Sequence, residues 1–272
     1  MGKVASWTGR RIAVLGVLLG VALAAAAAQA QAVAIHEFPL GLVGTGSPDH
    51  ITVGPDGNLW FTGHAEASID EMTPTGVVTP HFIAPESSPE GITVGPNGRL
   101  FFTEPGWNRI GRISPAGALT EFEPDGIEGP PADIVSGPDG NLWFTQHNEE
   151  IGRMTTAGSV TEFSAGITQY THGIAVGPDG DLWFTEVNKI GRITPDGVVT
   201  EFSEGISPGG ELRGITAGPD GNLWFTEPGV DRIGRITPAG VVTEFSQGIT
   251  PGSEPLEITA GPDGNLVHRA RG

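Results

Sequence analysis

From about residue 50 onward, apolar and polar positions alternate in runs of four or five residues, and turns built from glycine, proline and aspartate separate the runs. The clearest stretch reads Gly173-Ile-Ala-Val-Gly177, a Pro-Asp-Gly turn, Asp181-Leu-Trp-Phe-Thr-Glu186, a short loop, Ile190-Gly-Arg-Ile-Thr194, a second Pro-Asp-Gly turn, and Val198-Val-Thr-Glu-Phe202. Alternation with period two, β-branched and aromatic content and turn residues at each end predict four short strands. Two of the three joins are Pro-x-Gly turns, which favour antiparallel neighbours. No segment of the unit is long enough for a helix, so helical and leucine-rich repeats are excluded.

The unit recurs. A Gly-Pro-(Asp/Asn)-Gly tetrad starts at Gly54, Gly95, Gly137, Gly177, Gly218 and Gly261, at intervals of 41, 42, 40, 41 and 43 residues. A four-stranded antiparallel unit at this spacing predicts an all-β chain, a β-propeller. Five complete blades are expected at about 51–82, 92–122, 134–163, 174–202 and 215–245, with a partial blade at 258–266. In the sixth copy the expected Trp-Phe-Thr-Glu is replaced by Val267-His-Arg-Ala-Arg-Gly272, read as a frameshift or early stop. The segment Ile35-His-Glu-Phe-Pro-Leu40 matches a fourth strand and is expected to help close the ring.

Trp60, Trp143, Trp183 and Trp224, with Phe101 in one copy, share one position of the second strand and are expected to fill the space between blades. Arg112, Arg153, Arg192 and Arg235 recur on the third strand, and Glu121, Glu162, Glu201 and Glu244 on the fourth. These are expected to pair across the hairpin as structural ladders. Glu104, Glu186 and Glu227, with Gln146, end the second strand, where repetition favours a structural or solvated role.

The N-terminus is a different object. Lys3, Arg10 and Arg11 precede an apolar run over 12–28, followed by small-x-small sites, the order of a secretory signal peptide over 1–32. The mature domain is then 33–272, secreted or periplasmic. Loss of those three cations takes the formal charge from −18 to −21. Such an acidic surface disfavours nucleic acid and anionic membranes. With no cysteine, disulfides are excluded.

The Pro-x-Gly turns of every blade fall on one face. The other face receives the second-to-third loops and the connectors 83–90, 123–133, 164–172, 203–213 and 246–257, which differ between copies. Variable loops on a rigid scaffold carry function. His64 and His147 lie in second-to-third loops, and His50 and His172 lie where a connector meets an innermost strand, with Tyr170-Thr-His172-Gly the best placed. No nucleophile elbow, phosphate loop or zinc pattern is present.

The consensus Gly-Ile-Thr-x-Gly-Pro-Asp-Gly-Asn-Leu-Trp-Phe-Thr-Glu, followed by Asn-x-Ile-Gly-Arg-Ile-Thr-Pro-x-Gly-x-Val-Thr-Glu-Phe, closely resembles the repeat of the streptogramin B lyases, also called virginiamycin B lyases, over about 36–266. The resemblance implies a seven-bladed, monomeric, magnesium-dependent enzyme that opens a cyclic depsipeptide antibiotic by elimination across its ester bond. It implies His172 as base with Tyr170 beside it, and Glu254 among the acids holding Mg2+. The innermost strands open with Asp49, Glu90, Ala132, His172, Arg213 and Leu256, so only one family-type histidine is in place. The alternative is an exported propeller without chemistry, binding a peptide, glycan or cell-wall partner on its variable face. A six-bladed lactone hydrolase is set aside because the innermost strands lack its acids.

Overall fold

The computed structural model describes residues 48–122, 126–261 and 264–270. The signal segment and the strand expected at Ile35–Leu40 lie outside the described residues. Five four-stranded antiparallel sheets run in chain order, and a two-stranded sheet of Pro255–Ala260 and Leu266–Ala270 follows. Each sheet pairs its strands consecutively, the meander of a propeller blade. Among the described residues helix is confined to the single turns Pro105–Trp107 and Pro228–Val230, and no helix is long and apolar enough to cross a membrane.

Three of the five full blades, and the two-stranded sheet as well, begin earlier than the alternation predicts. The innermost strands start at Pro48, Pro131, Thr171 and Pro255, three residues ahead of the expected 51, 134, 174 and 258. A register shift sits inside each of these strands, for example between Pro48 and Ile51. The bulge breaks the period-two pattern and hides the strand's first residues from it. The last strand also runs on past 266 to Ala270, so the divergent tail stays extended and pairs Thr259 with Val267.

Cores lie between neighbouring sheets, as the recurring aromatics demand. Trp60 packs with Leu100 and Phe102 of the next blade, and Trp143 with Leu182 and Phe184 of the one after it. Trp60, Phe101, Trp143 and Trp183 are fully buried. Trp224, next to the two-stranded sheet, is only half-buried. The turn chemistry follows the aromatic: Asp139 Oδ1 accepts the indole N–H of Trp143 at 3.0 Å, and Asp56, Asp179 and Asp220 do the same in their blades. Phe101 has no N–H to give, and its turn carries Asn97 instead.

The expected Arg–Glu ladders are not formed. Arg153 pairs with Thr161, and Glu162 pairs with Gly152, one residue out of register. Successive strand residues face opposite sides of a sheet, so the arginine and the glutamate cannot meet. Each arginine instead lies over aromatics: Arg153 sits 5.5 Å from the Trp143 ring centre and 5.4 Å from that of Phe163. The glutamates take other cations, Glu121 with Arg109 at 2.8 Å, and Glu201 and Glu244 with Lys189 and Arg232.

Candidate active site at the mouth of the inner strands

A threonine builds the mouth. The Thr of each Trp-Phe-Thr or Phe-Phe-Thr run is fully buried, and its hydroxyl joins two blades. Thr103 Oγ1 accepts from Gly91 N of its own innermost strand at 2.9 Å and donates to the carbonyl of Ala132 in the next blade at 2.6 Å. Thr145 likewise accepts from Asp133 N and donates to the carbonyl of His172, and Thr185 donates to that of Arg213. Thr62 and Thr226 fix Glu90 and Leu256. The side chains that open the innermost strands are thereby held at one level by buried hydrogen bonds.

All six of those residues line one cavity, together with His50, Asp133, His147, Gly173 and Glu257, enclosing about 690 Å3 that is partly open to solvent. Glycine follows the opening residue in three blades, because inner strands touch there: a Cβ at Gly91 would lie 2.9 Å from the Ala132 carbonyl oxygen. The other three blades put His50, Asp133 and Glu257 at that position, a substitution visible in the repeat once the copies are aligned. These three charged groups gather in the channel below the mouth. His50 Nε2 lies 3.5 Å from Glu257 Oε1, bridging the first and last sheets. Burial alone would lower the His50 pKa, but Glu257, Asp133 and Asp49 outweigh it and push it up to about 10. Asp133 is raised by burial against the opposing pull of His50 and of the N–H groups of Ile174 and Ile134.

Around the mouth two pairs stand out. Arg213 Nη1 lies 3.0 Å from His172 Nδ1 and 3.4 Å from its Nε2. A guanidinium can only donate, so the nearer nitrogen, Nδ1, is the acceptor and His172 is neutral. Burial, then the Arg213 charge and then His147, drive its pKa down to about 3. Across from it, His147 Nε2 lies 3.1 Å from Glu90 Oε2, and the His147 and His172 rings stand 5.9 Å apart, edge to face.

Of the residues expected from sequence, His172 is at the mouth, and Tyr170 and Glu254 are not among the residues lining it. Tyr170 is 57% exposed and lines a separate cleft with Asn148 and Glu150. The bulge between Thr171 and Ile174 separates the course of Tyr170 from that of His172. Glu254 gives its backbone N–H to Asp231 Oδ1 at 3.0 Å. His64 lines another cleft, with Glu86 and Ser88. A pKa near 3 also argues against His172 as a base, since proton abstraction wants a pKa near the working pH.

The four acids of the mouth, Asp49, Glu90, Asp133 and Glu257, do not converge as a magnesium site. Glu90 is engaged by His147, Glu257 by His50, and Asp133 by two backbone N–H groups. Among the described residues, three carboxylates converge within 4.8 Å only at Glu128, Glu150 and Glu162, outside the mouth. Glu150 stands where Arg109, Lys189 and Arg232 neutralise the sibling blades. The acids ending the second strands are fully buried rather than solvated: Glu186 and Glu227 are pushed up to about 8, first by burial and then by Glu201 and Glu244.

The virginiamycin B lyase family model matches residues 24–270. Virginiamycin B lyase from Staphylococcus aureus, in selenomethionine form, is 38% identical with a TM-score of 0.77, over 83% of this chain and 78% of that one. A catalytically inactive variant of that protein with quinupristin is 37% identical, TM-score 0.77, over 82% and 78%. A streptogramin B lyase structure is 35% identical, TM-score 0.79, over 86% and 79%. No curated protein matches the chain at comparable significance.

Proposed function

The chain belongs to the virginiamycin B lyase family, and from that premise we propose that it is an exported lyase that opens a cyclic depsipeptide of the streptogramin B type by elimination across its ester bond. Export rests on the basic, apolar and small order of residues 1–32. The observation that carries the chemistry is the Arg213–His172 contact of 3.0 Å. An elimination of this kind needs a base for the proton next to a carbonyl and positive or hydrogen-bonding groups for the oxygen that gains charge. A mouth imidazole takes the proton. The electron pair moves onto the carbonyl oxygen, which faces the guanidinium of Arg213 and the remaining N–H of neutral His172. Collapse of that enolate forms a carbon–carbon double bond as the neighbouring carbon–oxygen bond breaks and the ester leaves as a carboxylate. No water is consumed, and no step is routed through a metal.

The test is incubation of the purified protein with quinupristin, followed by mass spectrometry. Elimination gives a linear product isomeric with the substrate; hydrolysis would add the mass of one water and contradict the mechanism. Retention of the ligand without conversion would replace the lyase by a binding propeller.

A further inference from the structure

We propose that His147 is the general base of this site and that Glu90 is its positioning residue, a pair contributed by the second-to-third loop of the third blade and the opening residue of the second. This rests on the elimination reading above and says which group takes the proton. The sequence favours His172, which opens an innermost strand, but that ring has its Nδ1 lone pair occupied by Arg213 at 3.0 Å. His147 has the opposite arrangement. Its Nε2 lies 3.1 Å from Glu90 Oε2. A carboxylate only accepts, so Nε2 carries the hydrogen and Nδ1 keeps the lone pair that a base needs. The ring's side chain is 37% exposed, which leaves it reachable by a ligand, whereas Glu90 is held behind it at 24%.

Backbone contacts make the placement reproducible. The His147 N–H donates to the Pro130 carbonyl at 2.7 Å, and the carbonyl of Glu90 receives the Thr62 hydroxyl, also at 2.7 Å. The His147 and His172 rings stand edge to face in contact, their centres 5.9 Å apart. A ligand at the mouth therefore meets both from the solvent-open side, its proton leaving toward His147 and its charge forming toward His172 and Arg213. When His147 accepts the proton, the imidazolium faces the Glu90 carboxylate, and the proton is later released to solvent as the ester oxygen departs as carboxylate. Atoms and charge balance without another reagent. At the matching loop position the other blades carry His64, Pro105, Val187 and Pro228; of these, only His64 has a ring able to take a proton, and it lines a different cleft.

The experiment compares wild type, His147→Ala, His147→Gln, Glu90→Gln and Glu90→Asp for quinupristin conversion and, by calorimetry, for quinupristin binding. Expected is a loss of kcat of about 10²- to 10⁴-fold in both His147 variants with binding kept, and partial recovery of His147→Ala by added imidazole. Glu90→Gln should lower kcat with KM unchanged, and Glu90→Asp should restore part of it. Conversion by His147→Ala at the wild-type rate overturns the base assignment and leaves the lyase reading standing. A kcat of Glu90→Gln equal to wild type overturns the positioning role. No conversion by wild type overturns both readings together.

Discussion

On one side of the mouth Glu90 and His147 meet as an acceptor and an imidazole; on the other, His172 and Arg213 meet as an imidazole and a donor. Both histidines are presented by neighbouring blades of the same repeat, His172 from a threonine-linked inner strand and His147 from the loop after the second strand. What differs is the sign of the partner. A carboxylate leaves the distal nitrogen of His147 available to take a proton, whereas a guanidinium strips Nδ1 of His172 and turns that ring into a hydrogen-bond donor. Two imidazoles at one mouth thus take two roles, because the charge next to an imidazole decides which nitrogen is protonated.

After loss of the base itself, removing the cationic side should have the largest effect. Arg213→Met is expected to lower kcat by about 10²- to 10³-fold, the usual cost of losing a group that stabilises a developing oxyanion. Steady-state kinetics with quinupristin would show it, and an unchanged kcat would erase the distinction between the two sides. A smaller effect is expected from the scaffold. Thr145→Val removes the hydroxyl that ties Asp133 N to the His172 carbonyl and leaves both groups without it, so stability should fall by about 1–3 kcal/mol. Urea denaturation measures that loss; a change below the error of the method would mean the hydroxyl does not hold the mouth. The smallest effect is expected at Tyr170, which is exposed and lines another cleft. Tyr170→Phe should leave kcat and KM within twofold of wild type, at about the limit of kinetic precision, and a large drop would bring the residue back into the site.

Much of this architecture is legible in the chain itself. The tetrads set the blade count, the Trp/Phe position marks the cores between sheets, and all six residues that open innermost strands do line one cavity. Three things were not legible, each for a physical reason. The Arg–Glu pairing failed because Arg153 and Glu162 differ by one residue in register, which sends their side chains to opposite faces. The Glu90–His147 contact joins residues 57 apart in two blades, and no local pattern encodes a distance across a ring. The channel group of His50, Asp133 and Glu257 was present in the alignment of copies as the loss of a glycine, but its charge linkage appears only when the first and last sheets are brought together.

The charge at the mouth and in the channel below it is of opposite consequence for His172 and His50, and histidine NMR on isotope-labelled protein reads that directly. At the same neutral pH, His50 should carry protons on both ring nitrogens and His172 on one, since their pKa values are pushed to about 10 and about 3. His172 should stay neutral as the solution is acidified well below the ordinary histidine value of 6.5. His172 titrating near 6.5 would contradict the Arg213 side of the mouth, and His50 doing so would contradict the charge linkage with Glu257 in the channel.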